Sequence, residues 1–300
     1  MNALLEVALF LVVGRVLAAS GRIPHASSGL TSWVLYVAWP AAALQSAPSV
    51  RLDGPLWGGV ASLWSLFAVA IVAVAIAIAR FGLRRPTGGA VLLASGAGST
   101  AGFALPFIEQ YCGAHCVAQA IVLSVFGGAL AFGVLGVAAS CVLTQGRVCV
   151  GLIVRRLVTF PPLVAIVIGL VLPRSVLPQF FNMALHDLAA TLAPVAIVAV
   201  GMHLRLPARR RAAAIAAALG FRLVLAPATV LLGVVLVAPE FGSFGKLLVL
   251  LAAMPPLVSS IALAREYGLE SELTAEMAAF GASLALVTVP LWGIALEYVA

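Results

Sequence analysis

Three hundred residues that are 63% hydrophobic and 9% charged, with a mean hydropathy of +1.18, do not make a soluble domain, which carries roughly 25% charged residues. Ten bilayer spans of about 20 residues would occupy roughly 200 positions, and the short remainder excludes a separate soluble catalytic domain, a coiled coil or a long disordered tail. The net charge of +7 sits in short clusters between apolar segments, with no aromatic-interleaved basic patch and no zinc-finger spacing, so it reads as positive-inside bias and not as a nucleic-acid interface.

The first apolar segment, 2–19, ends near Ala18-Ala19-Ser20, which resembles a signal-peptide cleavage site. A signal peptide begins with positive charge. Residues 1–8 hold Glu6 and neither Lys nor Arg, so a retained helix is expected. Breaks at Pro, Gly and charge then delimit spans at 28–46, 56–79, 88–109, 114–144, 151–172, 182–203, 212–238, 244–265 and 272–298. The chain is therefore read as an all-α polytopic membrane protein of ten transmembrane helices.

Of the 17 basic residues, all but Lys246 are Arg. Twelve fall in the loops after odd-numbered spans and three in those after even-numbered ones, which puts the odd loops in the cytoplasm and both termini outside. The Arg, Ala and Gly load is that of a GC-rich bacterial genome, so the expected location is a bacterial inner membrane. Five spans precede the 145–151 connection and five follow it. An odd number per half inverts one half against the other, giving two inverted five-helix repeats, 1–146 and 147–300. Pro40 in span 2 and Pro194 in span 7 fall at similar depth, as do Glu109-Gln110-Tyr111 closing span 4 and Arg265-Glu266-Tyr267 closing span 9.

Spans 4 and 9, the fourth of each half, are poorly built as continuous helices. Span 4 holds Ser95-Gly96-Ala97-Gly98-Ser99-Thr100-Ala101-Gly102-Phe103-Ala104-Leu105-Pro106, and span 9 holds Ala253-Met254-Pro255-Pro256-Leu257-Val258-Ser259-Ser260. A proline in a helix interior removes a donor and costs about 3 kcal/mol. Irregular backbone at membrane depth persists only inside protein or along a cavity, and paired interruptions in corresponding spans point to a transporter's binding site. Small-residue helix contacts, as in Gly98-x-x-x-Gly102, are the alternative explanation for either break taken alone. Half-helices restarting after each break aim unpaired N–H groups at the midplane, which suits a carboxylate.

The candidate substrate-binding residues are Ser99, Thr100, Pro106, Pro255, Pro256, Ser259, Ser260 and Arg222. Arg222 lies about 16 Å into span 8, where a charge requires a partner, either the substrate or the carbonyls of a broken helix. Asp187, Glu276 and Glu6 stand near span ends, and span 5 has no acidic residue, so proton coupling is disfavoured while a sodium site of hydroxyls and carbonyls stays open. Cys112-Gly113-Ala114-His115-Cys116 lacks the spacing of a zinc or c-type haem site, so no metal and no cofactor is expected. No nucleophile–base pair, P-loop or dinucleotide fingerprint is present, so no enzyme is expected.

Across nearly the whole chain these motifs resemble the auxin efflux carrier family, which includes the PIN-type exporters and the bacterial malonate-type carriers. Gly14-Arg15 with Gly21-Arg22-Ile23-Pro24 is similar to the family's first helix and loop, and Pro40-Ala41-Ala42 with Leu44 to its second helix. Thr159-Phe160-Pro161 resembles the opening of the sixth, Val200-Gly201-Met202-His203-Leu204 the end of the seventh, and Arg222 through Pro227 the R-x4-P of the eighth. Met254-Pro255-Pro256 through Ala264-Arg265-Glu266-Tyr267-Gly268 is the most specific match, and Thr288-Val289-Pro290-Leu291 fits the last helix.

The resemblance implies crossing helices 4 and 9, a scaffold and a transport domain each drawn from both repeats, elevator-type alternating access for organic anions, and often a homodimer. In one departure, Ser99 stands where the family commonly has Asn and Ser259 where bacterial members often have Asn, and Ser260 replaces the second proline of the PIN-type crossover. The expected partners are thus a small organic anion and the lipid bilayer, with export the favoured direction. A sodium-coupled symporter of the bile-acid type and a non-transporting membrane receptor or subunit are the rival readings.

Overall fold

The computed structural model describes residues 2–21, 26–172, 178–204, 211–237 and 242–299, and these are helical apart from short turns and one isolated β-bridge. Arg22, Ile23, Pro24, His25, Arg174, Arg205, Arg209 and Arg210, which bear on the orientation and on the first loop's motif, lie outside the described residues.

In chain order, α1 is Asn2–Ser20. Helix α2 runs over 26–46, where Ala26–Trp33 widens into a π-turn at Val34–Ala38 before Trp39–Ser46. Helix α3 is Gly54–Phe81. Helices α4 (Arg85–Gly96) and α5 (Leu105–Cys112) are separated by a non-helical stretch, as are α11 (Ser243–Ala252) and α12 (Ser259–Glu266). Between those pairs lie α6 (His115–Gln145), α7 (Val150–Val158), α8 (Pro161–Val171), α9 (Gln179–Met202) and α10 (Ala212–Leu236). Helix α13 (Ser271–Val299) closes the chain.

Helix α3 shows how the sequence sets its limits. Asp53 caps its start by accepting from the Leu56 amide at 3.2 Å, Pro55 occupies the first turn where its missing N–H costs nothing, and Gly82 ends it at φ 64°. Its 28 residues are about 42 Å long, more than the roughly 30 Å hydrocarbon core.

Among the described residues six helices are long and apolar enough to cross a membrane, or seven if α7 and α8, bent by 54°, count as one span. The chain is therefore a multi-pass membrane protein. Of the ten expected spans, the remaining three have no uninterrupted apolar helix. Helix α2 is diluted by residues such as Ser27, Ser28, Thr31 and Ser32, and the other two are the broken spans. The bend at Thr159–Phe160 departs from the continuous helix expected over 151–172, and the adjacent Pro161 and Pro162, which cannot extend a preceding helix, account for it.

Two groups of helices pack within themselves. Helix α1 crosses α9 at Gly14 and Gly201, where a Cβ on Gly14 would fall 2.1 Å from the Val198 carbonyl and one on Gly201 2.4 Å from that of Leu11. Helix α2 packs on α8, where a Cβ on Gly169 would reach the Leu44 carbonyl at 2.8 Å, and on α9. Helix α4 packs against α3, α10 and α13, and α11 against α10 and α13.

Candidate functional site

The two helix breaks meet. Residues 97–99, past the end of α4, lie antiparallel to residues 255–257, past the end of α11. Gly98 and Pro256 form the bridge, the Ser99 amide donates to the Pro255 carbonyl at 2.7 Å, and the Leu257 amide donates to the Ala97 carbonyl at 3.2 Å. Each interrupted backbone therefore supplies hydrogen bonds that the other lost when its helix ended, which is what buried irregular chain requires.

The sequence dictates both breaks. Pro255 has no N–H, so the Leu251 carbonyl, four residues back, loses its helical donor. The restart at α5 places Pro106 in the first turn, where no donor is missed. Glycines let the elements close up. A Cβ on Gly102 would meet Ala196 of α9 at 2.3 Å, and one on Gly281 of α13 would meet Pro256 at 2.5 Å.

Arg222 is the one buried charged residue among the described residues, at 2% exposure. It lies in a π-turn, Phe221–Leu225, of α10. Its Nε donates to the Met254 carbonyl at 2.9 Å and an Nη donates to the Leu251 carbonyl at 3.3 Å. The guanidinium also lies over Gly98, where a Cβ would come within 2.0 Å of that same Nη. Arg222 thus satisfies the carbonyl orphaned by Pro255 and touches both breaks. Of the two partners open to it from sequence, the structure supplies the broken-helix carbonyls. Among the described residues no carboxylate pairs with it, and the ion pairs all lie elsewhere, Arg156–Glu266, Arg211–Glu272 and Arg211–Glu276.

Of the other candidates from sequence, Thr100, Pro106, Pro255, Pro256 and Ser260 are buried or nearly so, Ser99 is half-buried and Ser259 is exposed. The hydroxyls of Ser99, Thr100 and Ser259 make no hydrogen bond among the described residues, whereas that of Ser260 donates to the Leu257 carbonyl and so serves the start of α12. Thr100 Oγ1 faces α6, 3.0 Å from where a Cβ on Gly128 would stand. The structure thus joins Ser99, Pro255, Pro256 and Arg222 in one contact network and leaves Ser259 at its edge.

A cavity of about 540 Å³ approaches the far end of the first break, lined by Pro106 and Glu109 with Glu6, Gln45, His186 and Pro194. It opens between the group of α1, α2 and α9 and the half-helix α5 with α6. Sequence reasoning did not mark this cavity, because its walls come from distant segments of the chain. Glu276, Asp187 and Glu6, weighed as coupling carboxylates, are not buried, and Glu276 is engaged by Arg211 at 3.1 Å. Cys112 and Cys116 are buried thiols without a disulfide, and no group of three His, Cys, Asp or Glu side chains among the described residues is placed to hold a metal ion.

A family model described as membrane transport protein matches residues 1–293, nearly the whole chain, and corresponds to the auxin efflux carrier family that the motifs resemble. That family is one of transporters and not of enzymes. A search of the curated proteins gives no match.

Proposed function

The chain belongs to the membrane transport protein family, and from that premise we propose that it carries small organic anions across a bacterial inner membrane, binding them where the two broken helices meet. The observation that carries this reading is the buried guanidinium of Arg222. Among the described residues it is compensated only by carbonyl dipoles, and it stands against a break whose Ser99 and Thr100 hydroxyls have no partner there. A positive charge held in low dielectric without a counter-ion favours a negative ligand nearby. The two hydroxyls, with Ser259, supply neutral donors that fix the ligand's orientation. Two of its five N–H donors are committed to Leu251 and Met254, which fixes the guanidinium in place and leaves its field and its remaining donors to act on the ligand.

The proposed topology has ten crossings, adding α2 and the broken pairs α4–α5 and α11–α12 to the apolar helices, with inverted repeats at 1–146 and 147–300 and both termini outside. The packing of α1, α2, α8 and α9 among themselves supports a scaffold drawn from both repeats. Helices α3 to α6 and α10 to α13, which carry the crossover, form the moving part of an elevator, and the 540 Å³ cavity between the two groups is its outer entrance. No acidic residue is buried among the described residues, which supports uncoupled export: one charge across 100 mV is worth about 2.3 kcal/mol, so an inside-negative membrane drives a monoanion out.

Proteoliposomes loaded with labelled carboxylates test this. An imposed inside-negative potential should accelerate efflux of one acid class whether sodium is present or absent. Sodium-dependent accumulation would assign the protein to the symporter reading. Ligand binding without flux in any acid class would make it a receptor.

A further inference from the structure

Beside the crossover, a furrow of two cavities lies along α3 and is bordered by α10. One cavity of about 760 Å³ runs beside α3 from Ala70 to Phe81, and a second of about 790 Å³ continues beside α3 from Gly54 to Val69. Phe221 of α10 borders both and marks the waist. The first covers about 16 Å of helix, one leaflet's share of the roughly 30 Å core, and the second covers the other. Small side chains line the first leaflet's half: Ala73 and Ala77 of α3 face Ala213, Ala214 and Ala217 of α10.

Arg211 and Glu270 line the mouth of that half, and Glu270 accepts from the Thr87 hydroxyl at 2.5 Å. Phe81 and Leu83 line it, and interleaved with them Arg80, Arg84 and Arg85 are exposed and form no ion pair among the described residues. Arg211, also on the rim, is bound to Glu272 and Glu276, so the three guanidinium groups of Arg80, Arg84 and Arg85 are the ones open to an anion. An apolar slot one leaflet deep with such Arg side chains at its aqueous end matches an acyl chain joined to an anionic headgroup. Among the described residues the outer half has no charged side chain in its lining.

We propose that the α3–α10 furrow is a binding site for an anionic phospholipid, its phosphate on Arg80, Arg84 and Arg85 and its chain between α3 and α10. The site is independent of the transported substrate. Each basic residue near an anionic headgroup is worth about a five-fold change in binding, so the three together give about 100-fold. The test is native mass spectrometry of the purified protein exposed to phosphatidylglycerol or phosphatidylcholine with identical chains. The wild type should retain phosphatidylglycerol preferentially. The triple variant Arg80→Gln, Arg84→Gln, Arg85→Gln should lose about 100-fold of that preference, and the triple Lys variant should keep it. Ala73→Leu with Ala217→Leu, at exposed positions that tolerate bulk, should abolish retention of both lipids at this site. Equal retention of the two lipids by the wild type, or a Gln variant that keeps the preference, would overturn the proposal. So would leucines that leave retention unchanged, or that instead dissociate a dimer, which would make the furrow's occupant a second copy.

Discussion

The two helix breaks that meet at the crossover are built from different materials and do different work. The break after α11 is made by Pro255 and Pro256, is buried, and is fastened through its Leu251 and Met254 carbonyls to Arg222. The break after α4 is made by glycines and hydroxyls. It is held by two amide hydrogen bonds to its counterpart, and it leaves Ser99 half-buried, with the Ser99 and Thr100 hydroxyls unengaged by any described residue. One break is an anchor and the other a presenting surface. Under the proposed function, the rigid side and the side with spare donors would together make a preorganised site.

The sharpest way to break that contrast is to remove the anchor. Arg222→Leu leaves two buried carbonyls without donors, each costing about 1–3 kcal/mol, so a total loss of about 2–6 kcal/mol is expected. Thermal unfolding of the purified protein should report it, and an unchanged midpoint would mean that the clamp holds nothing. Gly98→Ala comes next, because its Cβ would overlap the Arg222 Nη at 2.0 Å. Overpacking of this kind costs about 1–3 kcal/mol, and the double variant Gly98→Ala with Arg222→Leu should destabilise by less than the sum of the two single changes.

Changes on the presenting side should separate binding from stability. Ser99→Ala removes a donor to a charged ligand, worth about 1.5–3 kcal/mol or roughly ten- to hundred-fold in affinity. Its effect on the unfolding midpoint should be small, equivalent to about 0.5 kcal/mol or less. Ser260→Ala is the smallest of the series. It loses one local bond to the Leu257 carbonyl, with an expected cost of about 0.5–1 kcal/mol in stability and no change in affinity. Affinity lost at Ser260 and kept at Ser99 would reverse the roles assigned to the two breaks.

Much of this is legible in the sequence, and the rest is not for identifiable reasons. The breaks are visible because Pro and Gly act locally: Met254-Pro255-Pro256 and Gly96-Ala97-Gly98 interrupt a helix whatever surrounds them. That Arg222 needs a partner is also legible, since burial of a charge sets that demand. Which partner it takes is not, because Leu251 and Met254 come near only once α10 and α11 pack. The Gly14–Gly201 crossing is hidden in the same way: each glycine carries no signal until the other is beside it. The 54° bend at Thr159–Phe160 leaves a signal in Pro161-Pro162, but the apolar runs on either side read as one span. The π-turns at Val34–Ala38 and Phe221–Leu225 leave none, since a helix and its one-residue bulge share the same apolar pattern.

The central claim is that an organic anion binds at the presenting break under the field of Arg222. The most direct test is counterflow of labelled carboxylates in proteoliposomes, comparing the wild type with Ser99→Ala and Ser260→Ala at matched folded protein. The account predicts exchange of at least one acid class that is indifferent to sodium, lost with Ser99→Ala and retained with Ser260→Ala. Exchange that survives Ser99→Ala unchanged would contradict it, as would exchange of cationic or neutral solutes in place of acids.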